Sequence, residues 1–273
     1  MRLFILKNIF LFIFLFSIHQ SFAYDNHPIG ARSAALGISS LNFSDIWSSF
    51  NNQAGLSKIK NISVGFSYEN RFFLNSLSSK SLAFALPTKS GVFALDFNYF
   101  GFELFNETKF GFAFGKSFGE NFSAGIQLDY LYTHIAENYG NKGILTGEAG
   151  LQAKVAKKLF LGVHIFNPFR VKLADYNNER VPAIMRLGLL YKISDKVLLA
   201  VETEKDIDFK PLFKTGLEYH IVKQIFLRTG LSTNPTEYCF GFGLELKIFK
   251  IDFATKTNSI LGCTPVISMI YDF

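Results

Sequence analysis

Charged residues recur along the second half of the chain, in segments that otherwise carry Phe, Leu and Ile at every second position. If the large apolar side chains face lipid, the charged ones share the opposite face, which would line the lumen of a barrel. These residues are Arg186, Glu202, Lys214, Glu218, Arg228, Glu245, Lys250 and Asp252. They could form a polar conduit or ligand site, or a salt-bridge network that holds an internal segment. We favour the network, because an unpaired buried charge is costly.

Histidines are the other residues that could do chemistry. A lipid-hydrolysing enzyme in a membrane wall needs a Ser and a His within reach of each other. His134 and His220 fall at the ends of predicted strands, and His27 lies before the first predicted strand. His164 alternates with Gly162 and should face the lumen. The sequence has no metal-ligand spacing and no phosphate-binding glycine loop, so we expect no catalytic residue, no metal and no cofactor.

Strict alternation of large apolar residues with small or polar residues predicts the strands that must position the charged residues and the histidines. In residues 109–115, Phe110, Phe112 and Phe114 share one face of an extended chain and Gly111 lies on the other. The spacing of a helix would not put these three phenylalanines on one face. The same pattern gives about fourteen strands, near 61–69, 80–87, 90–100, 107–116, 121–134, 143–156, 158–166, 183–193, 196–204, 211–220, 223–231, 236–247, 249–256 and 265–273. Connections after even-numbered strands are short and the others longer, which is typical of a barrel with both termini in the periplasm. A soluble β-sandwich would expose this apolar face to water.

Both ends of the chain carry targeting signals. Arg2, Lys7 and an apolar run ending at Ile18 predict a signal peptide over residues 1–23. The alternating last residues, closed by Phe273, resemble the insertion signal read by the barrel assembly machinery. Together with 33 Phe residues and a mild net charge of +6, these signals predict a protein of the outer membrane of a Gram-negative bacterium. Its expected partners are outer-membrane lipid and the barrel assembly machinery, and not nucleic acid.

The segment before the first strand differs from the rest of the chain. It is rich in small residues and then contains an apolar cluster that needs burial: Leu41, Phe43, Trp47, Phe50 and Leu56. Trp47 and Phe50 are one helical turn apart and would share one side. We therefore predict a plug inside the barrel, in which Arg32 pairs with an inward carboxylate of Asp129, Glu148 or Glu202. The alternative is a mobile periplasmic tail.

Short motifs spread along the chain match those of a known family. They are Gly30-Ala31-Arg32, Ala35-Leu36-Gly37, Asn52-Gln53-Ala54-Gly55-Leu56, Arg186-Leu187-Gly188-Leu189, Gly216-Leu217-Glu218-Tyr219 and Phe240-Gly241-Phe242-Gly243-Leu244. This set resembles the PorV/PorQ family, within the wider FadL-like group of outer-membrane barrels, with Gln53 where that family has proline. The resemblance implies protein export or surface attachment through contacts with secretion-system proteins, as in type IX secretion. The alternative that it implies is FadL-like passage of a small hydrophobic ligand.

The sequence thus predicts an all-β fold, a transmembrane antiparallel β-barrel of about fourteen strands with a small N-terminal helical plug. The expected division is a signal peptide over 1–23, a plug over 24–58 and a barrel over 59–273.

Overall fold

The computed structural model describes residues 26–136, 140–172 and 180–273. In these residues fourteen antiparallel strands form a closed barrel, each paired with its neighbours in the chain, and β1 pairs with β14. The strands are β1 (Ser63–Asn70), β2 (Ser78–Pro87), β3 (Val92–Phe102), β4 (Phe105–Phe118), β5 (Phe122–Ile135), β6 (Gly140–Ala156), β7 (Leu159–Phe166), β8 (Ile184–Lys192), β9 (Val197–Asp206), β10 (Leu212–Val222), β11 (Ile225–Ser232), β12 (Glu237–Glu245), β13 (Phe249–Asn258) and β14 (Gly262–Asp272). The predicted transmembrane barrel is confirmed. The predicted signal peptide lies outside the described residues.

The outer wall of the barrel is apolar, and the inner wall is small or polar. Phe112 is 53% exposed and Phe242 49%, while Ala113 and Asp252 are buried. Closure explains why such a wall is stable in lipid, since the ladder leaves no strand edge with unpaired backbone groups. No helix in the described part of the chain has the length and apolar character to cross a membrane.

The two ends of the barrel differ in their connections. The turn end, where β1 begins and β14 ends, carries the connections that follow even-numbered strands, such as 88–91 and 223–224; the opposite end is called the loop end. The predicted contrast in length holds for the connections 71–77 and 207–211. It fails between β3 and β4, where only Glu103 and Leu104 remain, and at 233–236 and 259–261, which are no longer than the turn 193–196. Between β3 and β4 the reason is that both strands extend further than predicted. β3 runs past Gly101, whose φ of 104° strongly favours glycine.

The described part of the plug is the chain segment from residue 26 to residue 58, inside the barrel. It contains α1 (Ala31–Ala35), α2 (Ser48–Asn51) and a 3₁₀ helix (Gln53–Lys58). Trp47 precedes α2, and its amide donates to the Asp45 carboxylate at 3.0 Å, which turns the chain into that helix. Two further 3₁₀ turns, Arg71–Phe73 and Asn75–Leu77, connect β1 to β2 at the loop end.

Small residues make room for the plug on the barrel wall. A Cβ on Gly216 would lie 2.5 Å from the Leu36 carbonyl oxygen, and one on Gly241 would lie 2.6 Å from the Ala35 Cβ. Either distance is too short for a real side chain, so these positions require glycine. The glycines that meet the plug in this way are Gly65, Gly115, Gly125, Gly150, Gly162, Gly216, Gly230 and Gly241, and we call them the glycine belt.

The aromatic residues of the plug pack on the side of the wall that carries alanines. Trp47 is 2% exposed and Phe50 3%. Both belong to one apolar cluster with Ala83 of β2, Ala94 of β3 and Ile270 of β14. At about 25 cal/mol per Å², an upper estimate, burying two such side chains contributes several kcal/mol. The amphipathic cluster seen in the sequence is therefore the apolar core of the plug.

A charge on the lipid-facing wall should impair folding into the membrane. We expect Phe242→Lys to destabilise the inserted barrel by about 2–4 kcal/mol, since a lysine near the midplane must leave lipid or draw water in. Phe242→Leu is the control, because it keeps an apolar side chain at the same point. Heat-modifiable mobility on gels and urea unfolding from lipid vesicles measure the difference. Equal behaviour of the two variants would contradict the assignment of this face to lipid.

Candidate functional site

The first polar cluster joins the plug to the wall through Glu218 on β10. Arg32 of α1 donates from Nε and Nη2 to the two Glu218 oxygens, at 2.9 and 2.8 Å. Arg228 donates to the same carboxylate at 2.7 Å and to Asp252 at 2.5 Å. His220 lies 3.1 Å from Glu218. Two guanidinium groups and two carboxylates therefore form a balanced set that ties α1 to β10, β11 and β13.

The second cluster lies on β8, β9 and β10 and binds the plug backbone. Glu202 accepts hydrogen bonds from the amides of Ser40 and Leu41, at 2.9 and 3.2 Å. Lys214 lies 3.5 Å from Glu202 and 2.7 Å from Glu204, which also accepts from Arg186 at 2.8 Å. Arg186 reaches further to the Asn26 carbonyl oxygen at 2.5 Å.

The third cluster lies on β4 to β7 and contains His164, Asp129 and Glu148, which the sequence predicts on the inner face but does not join into one cluster. Glu148 of β6 bonds to Lys109 of β4 and to His164 of β7, the latter at 2.8 Å. Gln53 of the plug donates to Glu148 at 2.8 Å, and Lys109 lies 3.4 Å from Asp129. The signal that could have found it is Gln53 itself, since a polar amide in a segment that is predicted to be buried needs buried partners.

The structure brings together six of the predicted lumen charges and separates two. Arg186, Glu202, Lys214, Glu218, Arg228 and Asp252 are buried in the first two clusters. The prediction for Glu245 and Lys250 is wrong. Both lie at the turn end, their side chains are 47% and 36% exposed, and they form a 3.5 Å pair. The reason is that β12 ends at Glu245 and β13 begins at Phe249, so these two residues flank a turn.

The partner predicted for Arg32 is also wrong. None of Asp129, Glu148 and Glu202 pairs with it; its partners are Glu218 and, at 3.9 Å, Asp45 of the plug. The cause is the position of α1, which packs against β11 to β14 rather than against β5 and β6. Burial raises the pKa of Asp45, and the charge of Arg32 opposes that rise.

A cavity of about 230 Å³ lies between the plug and the loop end. Its apolar lining includes Ile38, Phe72, Leu212, Pro235 and Leu261, and its polar lining includes His27, Arg71, Glu204 and Lys214. A second cavity, of about 360 Å³, shares Leu212, Glu204 and His27 with it and adds Ile184 and Phe209. Glu204 and Lys214 of the second cluster thus form part of the cavity lining. No group of His, Cys, Asp and Glu that could hold a metal occurs in the described residues.

Comparison with known proteins shows what fold this is. No protein-family model matches the chain, and no curated protein matches it. The toluene transporter TodX of Pseudomonas putida is similar at a TM-score of 0.70 and 11% identity, over 93% of this chain and 100% of that one. The toluene transporter TbuX of Ralstonia pickettii gives 0.70 and 13%, over 91% and 99%. A FadL homologue of Pseudomonas aeruginosa gives 0.61 and 10%, over 89% and 98%. The fold is thus that of the FadL-like barrels.

Removing the carboxylate that is shared by Arg32 and Arg228 should loosen the plug. We expect Glu218→Gln to lower the free energy of unfolding by about 3–5 kcal/mol, because it leaves two guanidinium groups without their common partner. The environment of Trp47, the only tryptophan, reports the plug: its emission should shift to the red, and iodide should quench it more strongly.

The matched control is Glu245→Gln, which removes the same charge from an exposed carboxylate. Its effect should stay within about 0.5 kcal/mol, as for most surface changes. If both variants unfold alike and Trp47 is equally shielded in each, the network around Glu218 does not hold the plug.

Proposed function

We propose that this protein is an outer-membrane channel for small hydrophobic molecules. The observation that carries the proposal is the pair of cavities at the loop end, lined by apolar side chains and closed below by the plug. The fold supports it, since solved structures with this architecture are described as a monoaromatic hydrocarbon channel and as toluene transporters. The sequence resemblance to the FadL-like group favours the same class.

The lining of the cavities indicates the kind of molecule. Ile38 of the plug forms part of one wall, and Leu212 and Leu261 belong to the barrel. Several of the charged groups among them already have partners: Lys214 binds Glu204, and Lys256 binds Glu69 at 3.0 Å. A ligand would therefore meet more apolar than polar surface, which suits a small molecule with little polarity.

The orientation of the barrel follows from its connections. With the short turns in the periplasm, as is typical of such barrels, the cavities at the loop end open toward the outside of the cell. We further propose that residues 1–23 are a signal peptide, that residues 24–58 act as the plug and that the barrel assembly machinery inserts the rest.

Passage requires a change in the plug. Below the cavities, Glu202 holds the backbone of Ser40 and Leu41, and Glu218 holds Arg32. The wall is continuous in the described residues, with each strand paired to both neighbours. The structure is therefore a closed state, and a ligand crosses when part of the plug leaves the lumen or when the wall opens.

A second candidate function is the one implied by the PorV/PorQ resemblance, namely protein export or surface attachment. It is favoured by apolar side chains on the tips of the loop end, where Ile260 is 89% exposed, Phe169 78% and Phe73 67%. Such tips would suit contact with a secretion-system protein. This role needs no passage through the lumen, so a block of the cavities would leave it intact.

Filling the cavities should block uptake. We expect Leu212→Trp to reduce the uptake of a monoaromatic hydrocarbon such as toluene several-fold, because Leu212 lines both cavities. Leu217→Trp is the matched control, since it adds the same ring on the same strand but on the lipid-facing side, where Leu217 is exposed. The measurement is the rate of uptake of labelled toluene by cells that lack other channels of this class. If uptake depends on the protein but Leu212→Trp leaves its rate unchanged, the route through these cavities is contradicted. If cells with the protein take up toluene no faster than cells without it, the proposed function is contradicted.

A further inference from the structure

The turn end of the barrel is strongly basic. Lysines lie on each of its turns or on the adjoining strand ends: Lys58, Lys60, Lys89, Lys116, Lys154, Lys157, Lys158, Lys192, Lys196, Lys223, Lys247 and Lys250. The acidic residues at this end are Glu120, Asp195, Glu245 and Asp272. This excess of positive charge draws anions toward the mouth of the barrel.

Three of these lysines lie around Phe160 at the inner edge of the mouth. Lys58 is the last residue of the 3₁₀ helix of the plug, and its Nζ lies 5.7 Å from the centroid of the Phe160 ring. The Nζ of Lys192, at the end of β8, lies 5.4 Å from the same centroid. Lys154 of β6 is the strand partner of Phe160 and therefore faces the same side. We call Lys58, Lys154 and Lys192 the lysine trio.

The lysine trio carries positive charge that the described residues do not neutralise. The only side-chain hydrogen bond of Lys58 there is to the neutral amide of Gln152, at 3.4 Å. Burial, and then the charges of Lys192 and Lys154, lower the pKa of Lys58. Three ammonium groups held together without a carboxylate repel one another, and a multivalent anion among them would remove that repulsion.

We propose that the lysine trio is a binding site for a phosphate group. Phosphate fits better than a carboxylate because it carries a charge of about −1 to −2 and offers several acceptor oxygens to three ammonium groups. The group could come from free phosphate or from a phospholipid headgroup. The lipid source is supported by the aromatic residues Tyr191 and Tyr219, which are exposed on the outer wall at this end, as is typical of the headgroup level.

Such a ligand would also join the plug to the wall. Lys58 belongs to the plug, while Lys154 and Lys192 belong to β6 and β8. A phosphate bound by all three would tie the end of the plug to the barrel at the turn end, in addition to the clusters around Glu218 and Glu202. A phosphate at this site would stabilise the closed state, in which the plug fills the lumen. The proposal does not depend on which molecule the channel carries.

Thermal unfolding of the full chain, followed by Trp47 fluorescence, tests the site. In non-ionic detergent, inorganic phosphate should raise the melting temperature above that in chloride of equal ionic strength, since a ligand that binds only the folded state stabilises it. In the variant Lys58→Gln/Lys154→Gln/Lys192→Gln, a half-maximal shift should need at least tenfold more phosphate. Without phosphate this variant should melt no lower than the wild type, because the repulsion is gone, which also shows that it folds.

The control variant Lys89→Gln/Lys223→Gln/Lys247→Gln removes the same charge from the same end and should respond as the wild type does. A second arm uses nanodiscs of phosphatidylcholine with or without phosphatidylglycerol. Stabilisation by phosphatidylglycerol alone, lost only in the variant of the lysine trio, would support the site with a lipid headgroup as the source. If neither phosphate nor phosphatidylglycerol stabilises the wild type, or if both variants respond alike, the site is overturned.

Discussion

Direct packing of the plug backbone on the barrel wall is the contact on which the other features depend. At Gly216 and Gly241 the wall comes so close to Leu36 and Ala35 that no side chain would fit between them. The outer positions of the same strands meet lipid and can be large, as Phe240 and Phe242 are. Two constraints thus account for the alternation of phenylalanine and glycine along β12. Lipid contacts the phenylalanines on one face, while on the other face Gly241 meets the plug and Gly243 meets the side chains of Arg228 and Asp252.

Close packing buries charged side chains such as Arg186 and Glu218, and this explains why the lumen charges are arranged in partnered clusters. Arg32 enters the lumen with α1 and meets Glu218, which also holds Arg228. The amides of Ser40 and Leu41 meet Glu202. Because a buried group without a partner is destabilising, these contacts select one position of the plug. They also define the barrier that a transported molecule must pass, so stability and closure come from the same residues.

The strands could be predicted from the sequence because lipid on one side and the crowded lumen on the other impose strict alternation, as at Phe110, Gly111 and Phe112. The burial of Trp47 followed from its apolar neighbours. The partner of Arg32 could not be predicted, since Glu218 lies 186 residues away in the chain and the choice depends on which strands α1 packs against. Alternation gives the face of a residue but not its depth, which is why Glu245 was placed in the lumen although it lies at the rim.

Hydrogen exchange of the plug amides, measured by mass spectrometry on the protein in detergent, tests the central claim most directly. If the plug is packed on the glycine belt, the amides of α1 and α2 that donate within the helices should exchange slowly, on the timescale of the barrel strands, because they open only with the fold. Exchange of peptides covering residues 31–51 within seconds, while the strands remain protected, would show that the plug is not held in the lumen and would contradict this account.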